Sequence, residues 1–268
     1  MHKAKKSLGQ NFLTDGHVIA RIVSALAPRD DETIIEIGPG RGALTAHLIG
    51  RAGRVVAVEL DRVLAPLLAR QFAAHANFSI LEADALAVDY AALIAPAKQA
   101  RVVANLPYYI STALLQRFLA QRNCLTEMVL MLQREVVERI TAPPGGRERG
   151  YLSVFVEAYA EAVALFDVPP EAFQPVPKVW SAVARLRVRP HDALKDCDEA
   201  FLWQLVSAGF AQRRKTLGNN LKSAPDALRA RLAAGDINLA CERAGLDTQR
   251  RAETLTLDEW ARLSQTAR

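Results

Sequence analysis

The stretch that most constrains this chain runs from Thr33 to Glu59. Two β-branched runs, Thr33–Ile37 (TIIEI) and Val55–Glu59 (VVAVE), bracket a glycine-rich segment and a helical pattern over Ala43–Ile49. Short apolar runs of this kind read as strands buried on both faces, and strand, helix, strand at this spacing is the crossover pattern of a parallel sheet. The alternation continues with a helix over Val63–Ala74 and strands at Phe78–Leu81, Arg101–Ala104 and Met128–Leu132. An open α/β sheet with helices on its faces is therefore expected.

After about residue 160 the pattern changes. Ala162–Val168 and Ala182–Val188 read as strands joined by the proline-rich bend Pro169–Pro177, and Arg185, Arg187 and Arg189 alternate with Leu186 and Val188 on one face. Beyond His191 the chain reads as helical: Phe201, Leu202, Leu205, Val206 and Phe210 recur on one helix face. Near the end, Thr256 and Glu259 match a capping box, with Leu255 and Trp260 placed as a hydrophobic staple. The expected division is a sheet domain over 1–190 and a small all-helical domain over 195–268. The polar loop Pro143–Gly150 (PPGGRERG) is expected to be the most mobile part of the first.

Composition narrows the class. Of 268 residues, 50% are hydrophobic and 24% charged, which excludes a disordered or fibrous chain. The net charge of +5 permits a polyanionic partner without requiring one. Cys124, Cys197 and Cys241 form neither a disulfide framework nor a CxxC pair, so no metal site is expected and a reducing, cytoplasmic setting is. No apolar run is long enough to span a membrane, and MHKAKKSLGQ lacks the apolar centre of a signal peptide.

The candidate site begins at EIGPGRG, residues 36–42. Gly38 and Gly40 permit a tight turn and close approach of a ligand, at the amino end of a helix whose free N–H groups add partial positive charge. Glu59 ends the following strand about 20 residues on, where an acid accepts from ribose hydroxyls. Gly38, Gly40 and Ala43 also satisfy the dinucleotide fingerprint, so the turn alone leaves the cofactor open. Asp84 follows the third strand and reaches the same end of the sheet. A pair of acids beside a glycine turn favours an adenosine group over a pyrophosphate.

The most specific signal is Asn105-Leu106-Pro107-Tyr108, followed by Tyr109, at the end of the fourth strand. An Asn side-chain oxygen and a neighbouring backbone carbonyl both accept from an exocyclic –NH2, Pro107 stiffens the turn, and Tyr108 offers a ring for a flipped-out base. This motif together with EIGPGRG resembles the adenine methyltransferases that use S-adenosylmethionine. Further blocks resemble the ribosomal RNA adenine dimethyltransferases, in family order: KSLGQNFL from Lys6 to Leu13, FQPVPKV from Phe173 to Val179, and FAQRRKTL from Phe210 to Leu217. They favour the small-subunit type over the large-subunit resistance enzymes, which share a similar NLPY core.

The resemblance implies a Rossmann-like S-adenosylmethionine-dependent methyltransferase sheet with a helical C-terminal domain. It implies that Asn11 and Leu13 contact the cofactor and Gly38 lines its methionine end. Glu59 would bind the ribose, Asp84 the adenine edge, and Asn105 would sit beside the reacting methyl. Leu106 and Pro107 complete the catalytic turn, and Tyr108 and Phe173 would hold the target adenine between aromatic surfaces. The implied reaction is dimethylation of the 6-amino groups of two adjacent adenosines near the 3′ end of 16S rRNA. The implied substrate is a pre-assembled small ribosomal subunit, and the implied enzyme acts as a monomer.

Basic clusters accompany these motifs: Lys3, Lys5 and Lys6; Lys178, Arg185, Arg187 and Arg189; and Arg213, Arg214 and Lys215, expected to end the first helix of the small domain. They are read as phosphate contacts beside one active-site mouth. A nicotinamide-dependent oxidoreductase on the same sheet explains neither NLPY nor the second acid. A non-catalytic RNA-assembly factor leaves the intact motifs without a use.

Overall fold

The computed structural model describes residues 5, 9–189, 194–195 and 197–266. Lys3, Lys6, Ser7, Leu8, His191 and Asp192 lie outside the described residues. In chain order the first elements are β1 (Phe12–Leu13), α1 (Gly16–Leu26), β2 (Thr33–Ile37), α2 (Thr45–Leu48), β3 (Arg54–Glu59), α3 (Leu64–Gln71), β4 (Phe78–Glu82) and α4 (Tyr90–Ile94). They are followed by β5 (Ala100–Asn105), α5 (Ser111–Ala120), β6 (Leu125–Gln133), α6 (Arg134–Ile140), α7 (Tyr151–Tyr159), β7 (Ala160–Val168), β8 (Phe173–Gln174) and β9 (Ser181–Val188). Five helices close the chain: α8 (Glu199–Gly209), α9 (Leu217–Lys222), α10 (Asp226–Ala230), α11 (Ile237–Arg243) and α12 (Leu257–Gln265).

A seven-stranded sheet runs in the order β4-β3-β2-β5-β6-β9-β7. The pairs β4–β3, β3–β2, β2–β5 and β5–β6 are parallel, and β9 joins β6 antiparallel. The order reverses at β2, so the crevice of a doubly wound sheet falls at the carboxyl ends of β2, β3 and β5. All of β2 is buried, as its unbroken β-branched run requires. The helix α1 is capped by Asp15, whose carboxylate accepts from the N–H groups of His17 and Val18. Its buried face, including Ile22 and Leu26, packs in one cluster with Ile34, Val55 and Val129. Among the described residues, no helix is long and apolar enough to cross a membrane.

Two compact units result: residues 1–137 with 161–188, and residues 138–160 with 189–268. The segment 138–160, expected in the sheet domain, lies in the helical unit because α7 packs its aromatic face on α8. Phe155 and Tyr159 put ring centroids 5.0 and 5.7 Å from that of Trp203. The loop expected to be mobile is instead tied down. The buried Arg149 donates to the Glu157 carboxylate (2.7 Å) and the carbonyls of Ala142 (3.0 Å) and Leu255 (3.1 Å), while Gly145 N–H donates to Glu253 O. The predicted capping box of α12 forms: Glu259 N–H donates to Thr256 Oγ1 and Thr256 N–H to Glu259 Oε2, with Leu255 and Trp260 fully buried. The helix α8 stops at Gly209, so Arg213–Lys215 lie in the turn beyond it rather than at its end.

Candidate active site

The glycine turn leaves β2 with Gly38 at φ 64° and Gly40 at φ 60°, left-handed conformations that a side chain would strain. A Cβ at Gly38 would meet nothing within 4 Å, so that glycine opens the floor of a cleft. A Cβ at Gly40 would come within 3.0 Å of the Phe12 ring, because the N-terminal segment crosses the turn there. The Arg41 guanidinium lies 4.4 Å from the centroid of the same ring.

Carboxylates surround this floor. Glu59, at the end of β3, accepts from Gly40 N–H (3.1 Å) and Asp61 N–H (2.9 Å), which fixes its carboxylate against the turn. Burial raises its pKa, and those backbone donors oppose the rise. Glu36, inside β2, is also buried, and Thr45 Oγ1 donates to it at 2.6 Å. Burial, opposed by the Thr45 bond and reinforced by the charge of Glu59, lifts the Glu36 pKa to about 7. Asp84 is exposed at the rim, where its Oδ1 accepts from Leu86 N–H at 2.9 Å.

The N-terminal segment is fastened beside them. Lys5 Nζ and Gln10 Nε2 donate to the two oxygens of Asp61 at 2.7 and 2.9 Å. Burial alone would raise the Asp61 pKa, but Lys5, Val63 N–H and Gln10 outweigh it and hold the group well below the carboxylate range. In β1, Leu13 pairs with Phe173 and Phe12 with Gln174 of β8, antiparallel. Asn11, just before β1, takes the Asn105 amide on its carbonyl, with Nδ2 donating at 3.0 Å.

That bond sets the chemistry of the turn after β5. With its nitrogen committed to Asn11, the Asn105 amide presents its oxygen as an acceptor. Leu106 N–H donates to Met131 O at 3.1 Å, extending the ladder to β6 past the end of the strand and fixing the Leu106 peptide. Pro107 at φ −58° starts a short 3₁₀ turn over Tyr108–Ile110. The half-buried Tyr108 exchanges a 2.7 Å hydrogen bond with Ser181 Oγ, so its ring is anchored at both ends.

Asn11, Leu13, Gly38, Gly40, Glu59, Asp84, Asn105, Leu106, Pro107 and Tyr108 all line one cleft of about 1050 Å³, open to solvent. Phe173 does not. It is 2% exposed and belongs to the core cluster with Leu13, Ile22 and Val183, because pairing with β1 turns its ring inward. Glu36, Gln10 and Tyr109 line the cleft without having been singled out by the sequence. The signal for Glu36 was an acid inside an otherwise apolar strand.

The basic residues divide. Arg187 donates to Glu127 at 2.9 Å, and Arg185 donates to Ala25 O at 2.6 Å with Glu127 3.9 Å away. In the β6–β9 register Ser181 faces Gln133 at the cleft end, while Arg187 faces Glu127 at the other end. Arg185 and Arg187 therefore stand away from the mouth and are internally paired, correcting their reading as phosphate contacts there. Lys178, Arg213, Arg214 and Lys215 are exposed.

A glycine turn after the first sheet strand, an acid ending the next, and a cleft at the reversal point define a Rossmann-like α/β protein that binds a nucleoside-containing ligand. The solved structure of the 23S rRNA methyltransferase ErmE superposes with a TM-score of 0.70 at 28% identity, covering 96% of this chain and 99% of that one. A dimethyladenosine transferase from Plasmodium falciparum, at TM-score 0.77 and 22% identity over 94% of this chain and 95% of that one, shares the fold. The family model described as ribosomal RNA adenine dimethylase matches residues 1–265, and the chain belongs to that family. Relatives called ribosomal RNA small subunit methyltransferase A include those of Chromohalobacter salexigens and Geobacillus thermodenitrificans. The first is 46% identical over 98% of this chain and 91% of the relative, the second 44% identical over 97% and 89%.

Proposed function

We propose that this protein transfers methyl groups from S-adenosylmethionine to the 6-amino groups of two adjacent adenosines near the 3′ end of small-subunit (16S) rRNA. The observation that carries the reading is the Asn105 amide, turned by Asn11 so that its oxygen faces outward as an acceptor at the end of β5. The cleft suits the methyl donor: Gly38 leaves room where a Cβ would intrude, and Glu59 and Asp84 offer oxygens to ribose hydroxyls and an adenine amine. Asn11 and Leu13 border the same space from the N-terminal segment. When bound, S-adenosylmethionine supplies an electrophilic methyl on a sulfonium.

The adenine 6-amino nitrogen is a poor nucleophile because its lone pair is delocalised into the ring. Asn105 Oδ1 and the Leu106 carbonyl accept its N–H groups, favour a tetrahedral nitrogen and return the lone pair to it. Positioning then supplies much of the rate. Tyr108, held by Ser181, gives the flipped base a surface for stacking. Phe173 acts from the core by keeping β1 in register. The methylated nitrogen loses its proton to water. Lys178 and the Arg213–Lys215 turn are the exposed cations for phosphates.

The substrate in this reading is a pre-assembled small ribosomal subunit in the cytoplasm, met by a monomeric enzyme. Identity of 44–46% to small-subunit relatives against 28% to ErmE supports the choice of subunit. Labelled S-adenosylmethionine presented with unmethylated small subunits, large subunits or naked RNA is expected to place dimethyladenosine at neighbouring sites in small-subunit rRNA. Labelling of large-subunit RNA alone would overturn the assignment.

A further inference from the structure

The helical unit holds a cavity that the methyl-transfer site does not use. Open to solvent and about 1220 Å³ in volume, it is walled by Tyr151, Trp203, Gln204, Ser207, Gln212 and Asn220 among others. Asn220 is 2% exposed, and its Nδ2 donates to Gly209 O (2.6 Å) and Gln212 O (3.1 Å), which fixes the amide with its oxygen on the opposite side. Among the described residues Oδ1 has no hydrogen-bond partner. A buried acceptor left unmet is costly, and here it belongs to a cavity wall, where a ligand N–H can meet it.

The aromatic wall is rigid. Trp203 Nε1 donates to Tyr159 OH at 3.0 Å, and the ring packs edge-on or tilted against Tyr151, Phe155 and Tyr159. Trp203 is half-buried, so part of this fixed ring remains open for stacking. Exposed cations border the same wall in sequence: Arg213, Arg214 and Lys215 directly follow Gln212, and Lys222 follows the α9 turn that carries Asn220. A fixed aromatic ring, an acceptor waiting for an N–H, and cations at the edge are together the chemistry of an unpaired base on a nucleic-acid strand.

We infer that this cavity receives an unpaired RNA base, which stacks on Trp203 and donates an N–H to Asn220 Oδ1 while its phosphates lie on the Arg213–Lys215 turn. The inference rests on the reading of the protein as an RNA enzyme, but not on which adenosines it methylates. It adds a grip on the strand separate from the reacting base.

The test uses the full chain carrying Trp180→Phe, which removes the exposed tryptophan and leaves Trp203 as the accessible reporter, since Trp260 is fully buried. A short adenosine oligoribonucleotide is expected to quench Trp203. Ser207→Phe fills the cavity from an exposed wall position, and is expected to weaken quenching by about five-fold or more. The same oligomer built from N6,N6-dimethyladenosine, which has no amino N–H, is expected to bind as weakly. Unchanged quenching in Ser207→Phe, or adenosine monophosphate binding as tightly as the oligomer, overturns the inference. Methyl transfer to small subunits, followed on the same proteins, separates the two readings. Transfer absent even from the parent counts against the enzyme assignment, whereas normal transfer with unchanged quenching in Ser207→Phe counts against this cavity alone.

Discussion

The two ends of the central strands are built on opposite principles. At the amino ends of β5 and β6, Arg101 donates to Glu32 (2.9 Å), Glu127 (2.5 Å) and the carbonyls of Leu26 and Ala27, and Arg187 completes Glu127. Burial would raise the Glu127 pKa, but Arg187, Arg101 and Arg185 outweigh it and lower it. At the carboxyl ends, Glu36 and Glu59 face each other with raised pKa values, and among the described residues neither makes an ion pair. One end spends its charge on itself. The other keeps acceptors for a ligand, at a cost in stability that the first end helps to offset.

The sharpest way to break this comparison is Asn105→Ala. The side chain makes a single bond within the protein, to Asn11 O, so its loss costs about 1 kcal/mol of stability. Its oxygen belongs to the reaction, so turnover with small subunits is expected to fall about a thousand-fold. Initial rates of labelled methyl incorporation, read beside thermal unfolding, separate the effects. A folded variant with full turnover would remove Asn105 from the mechanism and leave the carboxyl end without a defining acceptor.

What the sequence disclosed followed from locality. Strands β2 and β3 and the turn between them were legible because TIIEI, EIGPGRG and VVAVE each carry their own conformational preference, and residues at the ends of parallel strands converge on one side by topology. Asp61 and Lys5 were not legible as partners, since their bond joins segments 56 positions apart and neither has a local motif. Arg185 and Arg187 misled for a related reason. Alternation correctly put them on one face, but only the β6–β9 register reveals Glu127 opposite them. Phe173 carried a motif that named its neighbourhood, whereas its pairing with Leu13 decides where the ring goes. Similarly, nothing in FAQRRKTL announces that Asn220 lies buried beneath it.

The carboxyl end also has a pH signature. Glu36 is raised from 4.5 to about 7 in the folded chain, so the folded state holds a proton that the unfolded chain has released across that range. The resulting stability is full below 4.5 and is lost as pH rises to about 7. Glu36→Gln keeps the acceptor for Thr45 without the buried charge. It is expected to gain up to about 3 kcal/mol over the parent at about pH 8 and to show no gain in acid. Thermal melts across pH check this, and a gain independent of pH would remove the buried charge as its cause.

Glu127→Gln should show the reverse, with a smaller effect. Its folded pKa lies below 4.5, so its contribution is present above that value and fades as pH falls through the folded pKa. The amide keeps shape and one acceptor but leaves Arg101 to Glu32 alone and Arg187 without its buried carboxylate. Arg187 is 61% exposed, so water takes back much of that interaction, and about 2 kcal/mol is expected at neutral pH. Because Glu127 lies at the far end of β6 from the cleft, cofactor affinity and turnover should not follow the loss in stability. Melting differences from the parent would then run in opposite directions with pH for the two variants. If Glu127→Gln instead weakened cofactor binding at temperatures where the protein is fully folded, the separation of the stabilising end from the binding end would fail.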